Sequence, residues 1–203
     1  MKLYYTPGAC SQAVHIALVE TGLPFTLERV DLANKQTASG TDFRTINPLG
    51  YVPVLELDDG RRLTEAQAIL QYIADEAGAG KFGAKSGGLE HYELIALLAF
   101  ISSELHKGLG ALFAPNLPEP VRQAMIERVG TRFDHIEARL GGKLYLLGSE
   151  YTIADMYLFV ITGWLAHFNI DIARWPKITA WRGSVGARPA VQAVLAAEFG
   201  AKS

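Results

Sequence analysis

The chain of 203 residues contains a single cysteine, Cys10, whose position suggests a reactive thiol. Cys10 follows Pro7-Gly8-Ala9, where a predicted strand turns into a predicted helix. Amides in the first helical turn lack intrahelical partners and the helix dipole favours negative charge there, so the thiol pKa can fall below its ordinary value of about 8.5. The alternative is a small buried apolar residue, the usual state of such a cysteine. Ala13 stands where a second redox cysteine would be, which excludes dithiol cycling within the chain.

A second candidate is the segment Leu49-Gly50-Tyr51-Val52-Pro53-Val54. Pro53 stands just before a predicted strand, and bonds that precede proline are where cis peptides occur. A cis Val52–Pro53 bond would turn the N–H and C=O of Val52 outward, ready to pair with an extended peptide ligand. The alternative is an ordinary turn with a trans bond.

The third candidate is Leu63-Thr64-Glu65-Ala66-Gln67-Ala68. Thr64 is predicted to cap a helix, and Glu65 and Ala66 then present backbone amides and a carboxylate at the helix start. The amides would suit the carboxylate of a zwitterionic amino acid, and Glu65 would suit its ammonium group. A plain capping site is the alternative.

In the second half of the chain, Ser103, His106 and Lys107 lie three and four residues apart and therefore share one face of a predicted helix. A solvated polar face is the ordinary explanation. The five histidines are scattered without the spacing of a metal site, and no glycine-rich nucleotide-binding motif is present, so neither a metal nor a nucleotide cofactor is expected. Thr152 and Asp155 have the form of a capping box, which we assign to folding.

The elements that must position these residues differ between the two halves. The first eighty residues alternate strand-like and helix-like patterns in the order βαβ, then α, ββ and α, which resembles the thioredoxin fold. The expected elements are a strand at 2–5, a helix at 11–21, a strand at 25–30, a helical turn at 42–46, a hairpin at 54–63 around Asp58-Asp59-Gly60, and a helix around 68–73.

Beyond the first eighty residues only helices are expected. The glycine-rich stretch from Gly78 to Gly88 is the predicted linker, so the domains are predicted as 1–80 and 87–203. A long amphipathic helix begins the second domain, with leucines or isoleucine at positions 94, 98, 101, 105, 109 and 112. Further helices are expected at 121–140, 153–168, 175–185 and 189–199.

Composition limits the classes of function. The formal net charge is −2 without blocks of like charge, so neither nucleic acid nor an anionic membrane is expected as the main partner. The apolar run from Met156 to Phe168 is too short to span a bilayer. A lone cysteine fits a reducing compartment, and we expect a cytoplasmic protein.

Taken together and in order, these motifs resemble the glutathione S-transferases of the bacterial beta class. The resemblance covers nearly the whole chain, and its class-specific elements are Cys10 and His106-Lys107. The matching segments are Tyr4-Tyr5-Thr6-Pro7-Gly8-Ala9-Cys10-Ser11, Val30-Asp31-Leu32, Asn47-Pro48-Leu49-Gly50-Tyr51-Val52-Pro53, Leu63-Thr64-Glu65, Ser102-Ser103-Glu104-Leu105-His106-Lys107-Gly108 and Tyr151-Thr152-Ile153-Ala154-Asp155-Met156-Tyr157-Leu158-Phe159.

The resemblance implies a thioredoxin-like glutathione-binding domain and an all-helical domain that forms the hydrophobic-substrate site and the interface of a homodimer. It places Cys10 and His106 at the glutathione sulfur as catalytic residues. The glutathione-binding residues that it implies are Lys35, Val52, Pro53, Glu65, Ala66 and Lys107, with Ser103 and Glu104 reaching glutathione in the neighbouring subunit.

Three positions depart from the family pattern: Ala66 replaces glycine or serine, Ala99 replaces asparagine, and Leu49 replaces lysine. Each lost hydrogen bond would cost glutathione binding about 1 kcal/mol. Three functions remain open on the sequence: conjugation of glutathione to hydrophobic electrophiles, with or without removal of halide; monothiol disulfide exchange through Cys10; and non-catalytic binding of glutathione.

Overall fold

The computed structural model describes residues 1–78, 81–83 and 87–200, which belong to two compact units. The first unit comprises Met1–Lys81 and Arg188–Ser203, and the second comprises Phe82–Ala187. A mixed sheet with helices forms the first unit, and helices form the second. The expected division into an α/β domain and a helical domain is therefore confirmed.

The sheet of the first unit is built around strand β1, whose Leu3 is fully buried. β1 runs parallel to β2 and antiparallel to β4, with Leu3 opposite both Leu27 and Leu55. The order across the sheet is β3-β2-β1-β4-β5. The strands are β1 Lys2–Tyr5, β2 Thr26–Asp31, β3 Gln36–Thr37, β4 Val54–Glu56 and β5 Arg62–Thr64.

Helix α1 is the central helix of the first unit. Its residues from Ser11 to Leu18 are all buried, since α2 (Ala66–Glu76) and α8 (Pro189–Phe199) both pack against it. α1 ends at Gly22, which adopts the left-handed conformation (φ 71°) that glycine accepts without strain. The helical segments of this unit are α1 Ser11–Thr21, a 3₁₀ turn Phe43–Thr45, α2 Ala66–Glu76 and α8 Pro189–Phe199.

The second unit begins with a long helix that changes its winding. α3 (Leu89–Phe100) passes into a six-residue π-helical segment, Ile101–His106, and then into α4 (Lys107–Gly110) and a 3₁₀ turn. The sequence predicts a single amphipathic α-helix here, so the π-helical segment is a difference, and such segments are frequently found at functional sites. The bounds are α3 Leu89–Phe100, α4 Lys107–Gly110, α5 Glu119–Leu140, α6 Ile153–Gly163 and α7 Pro176–Gly186, with 3₁₀ turns at Ala111–Phe113, Ala166–Phe168 and Ile172–Arg174.

One strand was not predicted, and one local prediction is wrong. The strand β3 was not expected, because its two residues are too few to show an alternating pattern. Thr64 does not cap α2: it is the last residue of β5, and Glu65 is the cap residue, with no side-chain capping hydrogen bond. The hairpin continues one residue further than expected, and the chain turns into the helix at Glu65.

The boundary between the predicted domains remains a prediction. Residues 79, 80 and 84–86 of the expected linker lie outside the described residues. In one respect the packing differs from the sequence division 1–80 and 87–203. Helix α8 belongs to the first compact unit, where it packs on α1 and where Arg188 forms an ion pair with Glu20 at 2.6 Å.

A buried carboxylate organises the start of α6. The expected capping box is confirmed: the Thr152 amide donates to Asp155 Oδ2 at 3.0 Å. Asp155 is fully buried, and its other oxygen accepts from the Leu146 amide at 3.0 Å and from Trp181 Nε1 at 2.9 Å. One side chain thus holds together the loop before α6, α6 itself and α7.

The continuous helix Leu89–Phe113 is long and apolar enough to cross a membrane by length and composition alone. Only 33% of its most apolar window is buried within this chain. Length and composition are weak grounds for a membrane span, since a helix of a water-soluble helical domain passes the same test.

Replacing Asp155 by alanine should destabilise the protein strongly. The substitution leaves two backbone amides and the Trp181 indole N–H buried without an acceptor, which should lower the free energy of unfolding by roughly 3 kcal/mol or more. Asp171 caps the exposed 3₁₀ turn Ile172–Arg174 through the Ala173 amide, so Asp171→Ala is a matched control expected to cost about 1 kcal/mol. Urea denaturation measures both values, and equal losses would contradict the organising role of Asp155.

Candidate active site

Cys10 lies just before the first turn of α1 and is only 8% exposed. Its Sγ donates to the carbonyl oxygen of Val52 at 3.3 Å, so two of the expected site residues are in contact. This hydrogen bond uses the thiol proton, whereas the helix start favours the thiolate. The lowered thiol pKa therefore remains a prediction.

The loop that supplies Val52 is shaped by Asn47. Its side-chain Nδ2 donates to the Tyr51 carbonyl at 2.8 Å, and its backbone carbonyl accepts from the Gly50 amide at 2.8 Å. The Val52–Pro53 peptide bond is cis, as expected from the sequence. Asn47 thus fixes the loop that carries the Val52 backbone groups.

Lys35 contacts the same loop from the turn between β2 and β3. Its ammonium donates to the Gly50 carbonyl at 3.1 Å and lies 5.8 Å from the centre of the Tyr51 ring. Lys35 itself adopts a left-handed backbone conformation, with φ 57°. In this structure the Lys35 side chain therefore ties the turn between β2 and β3 to the loop at Gly50. Its expected contact with glutathione remains a prediction.

The start of α2 offers both a carboxylate and backbone amides. Glu65 is exposed and has φ 67°, which is uncommon for a residue other than glycine and is often found at functional sites. The amides of Ala68 and Ile69 donate to the Glu65 carbonyl, which leaves the Ala66 amide at the helix start, where intrahelical partners are lacking. This arrangement suits the ammonium and the carboxylate of an amino-acid head group.

A buried network just before Cys10 was not expected from the sequence. The fully buried side chain of Glu198 in α8 accepts from the Gly8 amide at 2.9 Å and from Gln12 Nε2 at 2.8 Å, and its other oxygen lies 2.9 Å from His15 Nδ1. Glu198 fixes the loop that leads into Cys10. The sequence carried a signal, because Glu198 follows the buried Val191 and Val194 at spacings of seven and four and so lies on the apolar face of α8.

His106 ends the π-helical segment and packs among aromatic rings of the second unit. Its Nδ1 lies 2.6 Å from the Tyr157 hydroxyl oxygen, and its ring meets those of Tyr157 and Trp164 edge to face, with centroids 5.8 and 5.1 Å apart. Burial, followed by the positive charge of Lys107, lowers the pKa of His106 to about 4. The imidazole is therefore neutral at pH 7.

Further aromatic side chains extend this cluster. Phe113 is half exposed and lies with its ring centroid 5.6 Å from Trp164, 4.7 Å from Phe168 and 5.1 Å from His167. The result is a partly open aromatic surface joined to His106 through Trp164. Sequence reasoning missed it, although Tyr157 and Trp164, seven residues apart, lie on one face of a helix.

The other expected residues of the helical unit have different surroundings. Glu104 Oε2 accepts from Arg132 Nε at 2.8 Å, and this hydrogen bond lowers the pKa of Glu104. Ser103 and Lys107 are exposed, as a solvated face would be. The contact of Ser103 and Glu104 with a neighbouring subunit remains a prediction, and Arg132 was not anticipated.

The expected site residues thus form two groups. Cys10, Val52, Pro53, Lys35, Glu65 and Ala66 belong to the first unit, and Ser103, Glu104, His106 and Lys107 belong to the second. Of the three departures from the family pattern, Ala66 is buried, whereas Ala99 and Leu49 are exposed. Among residues 1–78, 81–83 and 87–200, no group of three or more histidine, cysteine or acidic side chains could hold a metal ion.

Comparison with known proteins gives consistent results. Residues 8–76 match the sequence family "Glutathione S-transferase, N-terminal domain", and residues 96–189 match "Glutathione S-transferase, C-terminal domain". Glutathione S-transferase GstA of Escherichia coli O157:H7 is 39% identical over 198 residues, which cover 98% of both chains.

Two solved structures show the same likeness. A sphingomonad glutathione S-transferase complexed with glutathione is 44% identical, with a TM-score of 0.94 and coverage of 98% of both chains. The beta-class glutathione S-transferase of Sphingomonas chungbukensis is also 44% identical, with a TM-score of 0.92 over 98% of this chain and all of that one. With its thioredoxin-like unit, its helical unit and Cys10 at the start of α1, the chain belongs to the glutathione S-transferase family, in the bacterial beta class.

Proposed function

We propose that this glutathione S-transferase joins the sulfur of glutathione to hydrophobic electrophiles, including those from which a halide departs. The observation that carries the proposal is the position of His106 at the edge of the aromatic surface formed by Trp164, Phe113 and Phe168. Such a surface would hold an apolar acceptor, and the imidazole would act on the glutathione sulfur. Positioning the two reactants and stabilising the thiolate together provide the rate enhancement.

In this proposal the first unit holds the glutathione backbone. Glu65 takes the ammonium of the γ-glutamyl head and the Ala66 amide takes its carboxylate. The backbone of Val52, before Pro53, pairs with the cysteinyl residue of the tripeptide. The Val52 carbonyl oxygen accepts from the Cys10 thiol in this structure, and its second lone pair would accept from the cysteinyl N–H of glutathione. The ammonium of Lys35 adds a polar contact.

The helical unit contributes the remaining contacts. Lys107 is exposed at the start of α4, where its ammonium would contact an anionic group of glutathione. Ser103 and Glu104 would contact glutathione bound to a second copy of the chain. The chain would therefore work as a homodimer, and we place it in the cytoplasm, where a single cysteine stays reduced.

The homodimer is supported by the apolar helix Leu89–Phe113. Two-thirds of its most apolar window is not buried within one chain, and Leu89 and Tyr92 are 72% and 61% exposed. Apolar surface of this kind marks a contact site in a water-soluble protein. A second copy of the chain is the partner that would bring Ser103 and Glu104, from the same long helix, to a neighbouring glutathione.

Disulfide exchange is a second reaction that the position of Cys10 favours. A Cys10 thiolate would attack glutathione disulfide, forming a protein–glutathione disulfide and releasing one glutathione thiolate. A second glutathione thiolate would then attack the glutathione sulfur of that protein disulfide, re-forming glutathione disulfide and the Cys10 thiolate, so glutathione disulfide itself is only exchanged. When the substrate is a mixed disulfide of glutathione and another thiol, Cys10 attacks its glutathione sulfur and the other thiolate departs; the second step then yields glutathione disulfide, and the substrate has been reduced. Cys10, Glu65 and His106 are reactive or ligand-binding groups, which argues against purely non-catalytic binding.

The two reactions should depend on different residues. Disulfide reduction needs a protein thiolate, so Cys10→Ala should abolish hydroxyethyl-disulfide reduction while conjugation of chlorodinitrobenzene remains measurable. His106→Ala should lower conjugation by roughly 10-fold or more, since a group that acts on the reacting sulfur, as an acid–base catalyst or as a hydrogen-bond donor, contributes about 10²–10⁴. Both assays are run at saturating glutathione. Complete loss of conjugation in Cys10→Ala that still binds glutathione would show that the thiol serves both reactions.

The low pKa of His106 should appear in the pH dependence of stability. In the unfolded chain the histidine takes up a proton near pH 6.5, whereas in the folded protein it does so near pH 4. Between these pH values the unfolded chain binds more protons at His106 than the folded protein does. The free energy of unfolding therefore falls as the pH falls, by at most about 1.4 kcal/mol per pH unit. The difference in unfolding free energy between the natural chain and His106→Gln should shrink from pH 7 to pH 4.5; a constant difference would contradict the shifted pKa.

The dimer should depend on the exposed end of the long helix. Leu89→Glu with Tyr92→Glu places two charges on the proposed interface, so sedimentation at micromolar concentration should show a dimer for the natural chain and a monomer for this variant. Leu144→Glu, at a residue 69% exposed in the same unit, is the matched control and should remain dimeric. A monomeric natural chain would refute the proposed homodimer.

A further inference from the structure

The contact between His106 and Tyr157 is formed within the helical unit. His106 is the last residue of the π-helical segment, and Tyr157 lies in the first half of α6. Tyr157 is 1% exposed, so its ring and hydroxyl are held by packing. The two rings meet at 80°, and the Nδ1–hydroxyl distance is 2.6 Å.

Two arrangements of protons are compatible with this hydrogen bond. Either the Tyr157 hydroxyl donates to an unprotonated Nδ1, or a protonated Nδ1 donates to the hydroxyl oxygen. A neutral imidazole carries one N–H, so the first arrangement places the ring proton on Nε2 and the second leaves Nε2 with a lone pair. The direction of one hydrogen bond therefore decides whether Nε2 can donate or accept.

Distance and acidity favour donation by Tyr157. N–H···O hydrogen bonds span about 2.7–3.2 Å, whereas bonds donated by a hydroxyl are shorter, about 2.5–3.0 Å to an oxygen acceptor, so the distance of 2.6 Å favours the hydroxyl as donor. A phenol, with a pKa of about 10, is an acidic donor, and a neutral imidazole nitrogen is a basic acceptor. The reverse bond would pair a weakly acidic N–H with a weakly basic phenolic oxygen. The low pKa of His106 agrees with a neutral ring.

We propose that Tyr157 is a positioning residue that holds His106 in the tautomer with its proton on Nε2, so that His106 offers a hydrogen-bond donor to the glutathione sulfur. This inference rests on the proposed function. It assigns His106 the task of stabilising the thiolate, since Nε2 has no lone pair with which to remove the thiol proton. That proton passes to solvent.

With the thiol already ionised, the bond-forming step needs no protein base. The thiolate sulfur attacks the electrophilic carbon, a carbon–sulfur bond forms, and with a halide acceptor the carbon–halogen bond breaks as the halide departs with its electron pair. The Nε2–H of His106 stabilises the sulfur's negative charge before attack. A general base would instead have to gain a proton in the same step.

The tautomer can be measured directly, without reference to activity. In protein labelled with ¹⁵N-histidine, a long-range ¹⁵N–¹H correlation spectrum distinguishes protonated from unprotonated ring nitrogens, and His106→Gln identifies the signals of His106. We expect Nε2 to be protonated and Nδ1 unprotonated at pH 7. Protonation of Nδ1 instead would overturn the proposal, even if conjugation proceeds as proposed.

Two variants test the role in the reaction. Tyr157→Phe keeps the ring and removes the hydroxyl, so kcat/KM for conjugation should fall by about 2- to 10-fold, the range for one lost hydrogen bond, while the KM for glutathione stays nearly constant. In Tyr157→Phe, the thiolate absorbance of bound glutathione, measured against pH, should show a higher thiol pKa than in the natural chain. Tyr145→Phe, a tyrosine of the same unit outside the cluster, is the control and should match the natural chain. An unchanged thiol pKa in Tyr157→Phe would refute the positioning role.

The last comparison separates a donor from a base at position 106. Glutamine carries an N–H₂ donor near the place of Nε2 and cannot accept the thiol proton, so His106→Gln should retain several-fold more conjugation than His106→Ala. Equal loss in the two variants would favour a base and count against the proposal. If the natural chain failed to bind glutathione, the proposed function would fall, while the labelled spectrum would still report the tautomer.

Discussion

The helical unit depends on one buried carboxylate. Asp155 accepts hydrogen bonds from the Thr152 and Leu146 amides and from the Trp181 indole, and so fixes where α6 begins and how α7 meets it. Tyr157 follows Asp155 by two residues on the same helix. The Asp155 hydrogen bonds therefore anchor the helix from which Tyr157 contacts His106.

The first unit uses a buried carboxylate in a similar way. Glu198 accepts hydrogen bonds from the Gly8 amide and from Gln12, and it lies 2.9 Å from His15 Nδ1. The C-terminal helix α8 thereby holds the loop that leads into Cys10. A carboxylate without water is costly unless every oxygen has partners, and these two are satisfied by neighbours from several segments. Each carboxylate joins several segments: Asp155 joins the loop before α6 to α7, and Glu198 joins α8 to the residues on either side of Cys10.

Much of this architecture could be predicted from the sequence. Gly22 and Pro24 end α1, Asp59-Gly60 closes a hairpin, and the Thr152–Asp155 capping box begins α6, because each is a local signal with one physical solution. Other features depend on contacts between distant segments. The partners of Glu198 lie more than 180 residues away, and the Tyr157–His106 pair spans 51 residues, so no local pattern could reveal them. Resemblance to a family supplied the role of Cys10, which spacing alone left open.

In the π-helical segment Ile101–His106, the number of residues determines how the helix faces on its two sides are oriented. A π turn contains more residues than an α turn, so the helix faces before and after it point in directions that an unbroken α-helix of the same sequence would not give. Loss of a single residue there would rotate the apolar stretch that begins at Leu89 relative to Lys107 while leaving every side chain chemically intact. Within this segment, insertions and deletions would therefore change the relation between subunit contact and ligand contact more than most substitutions.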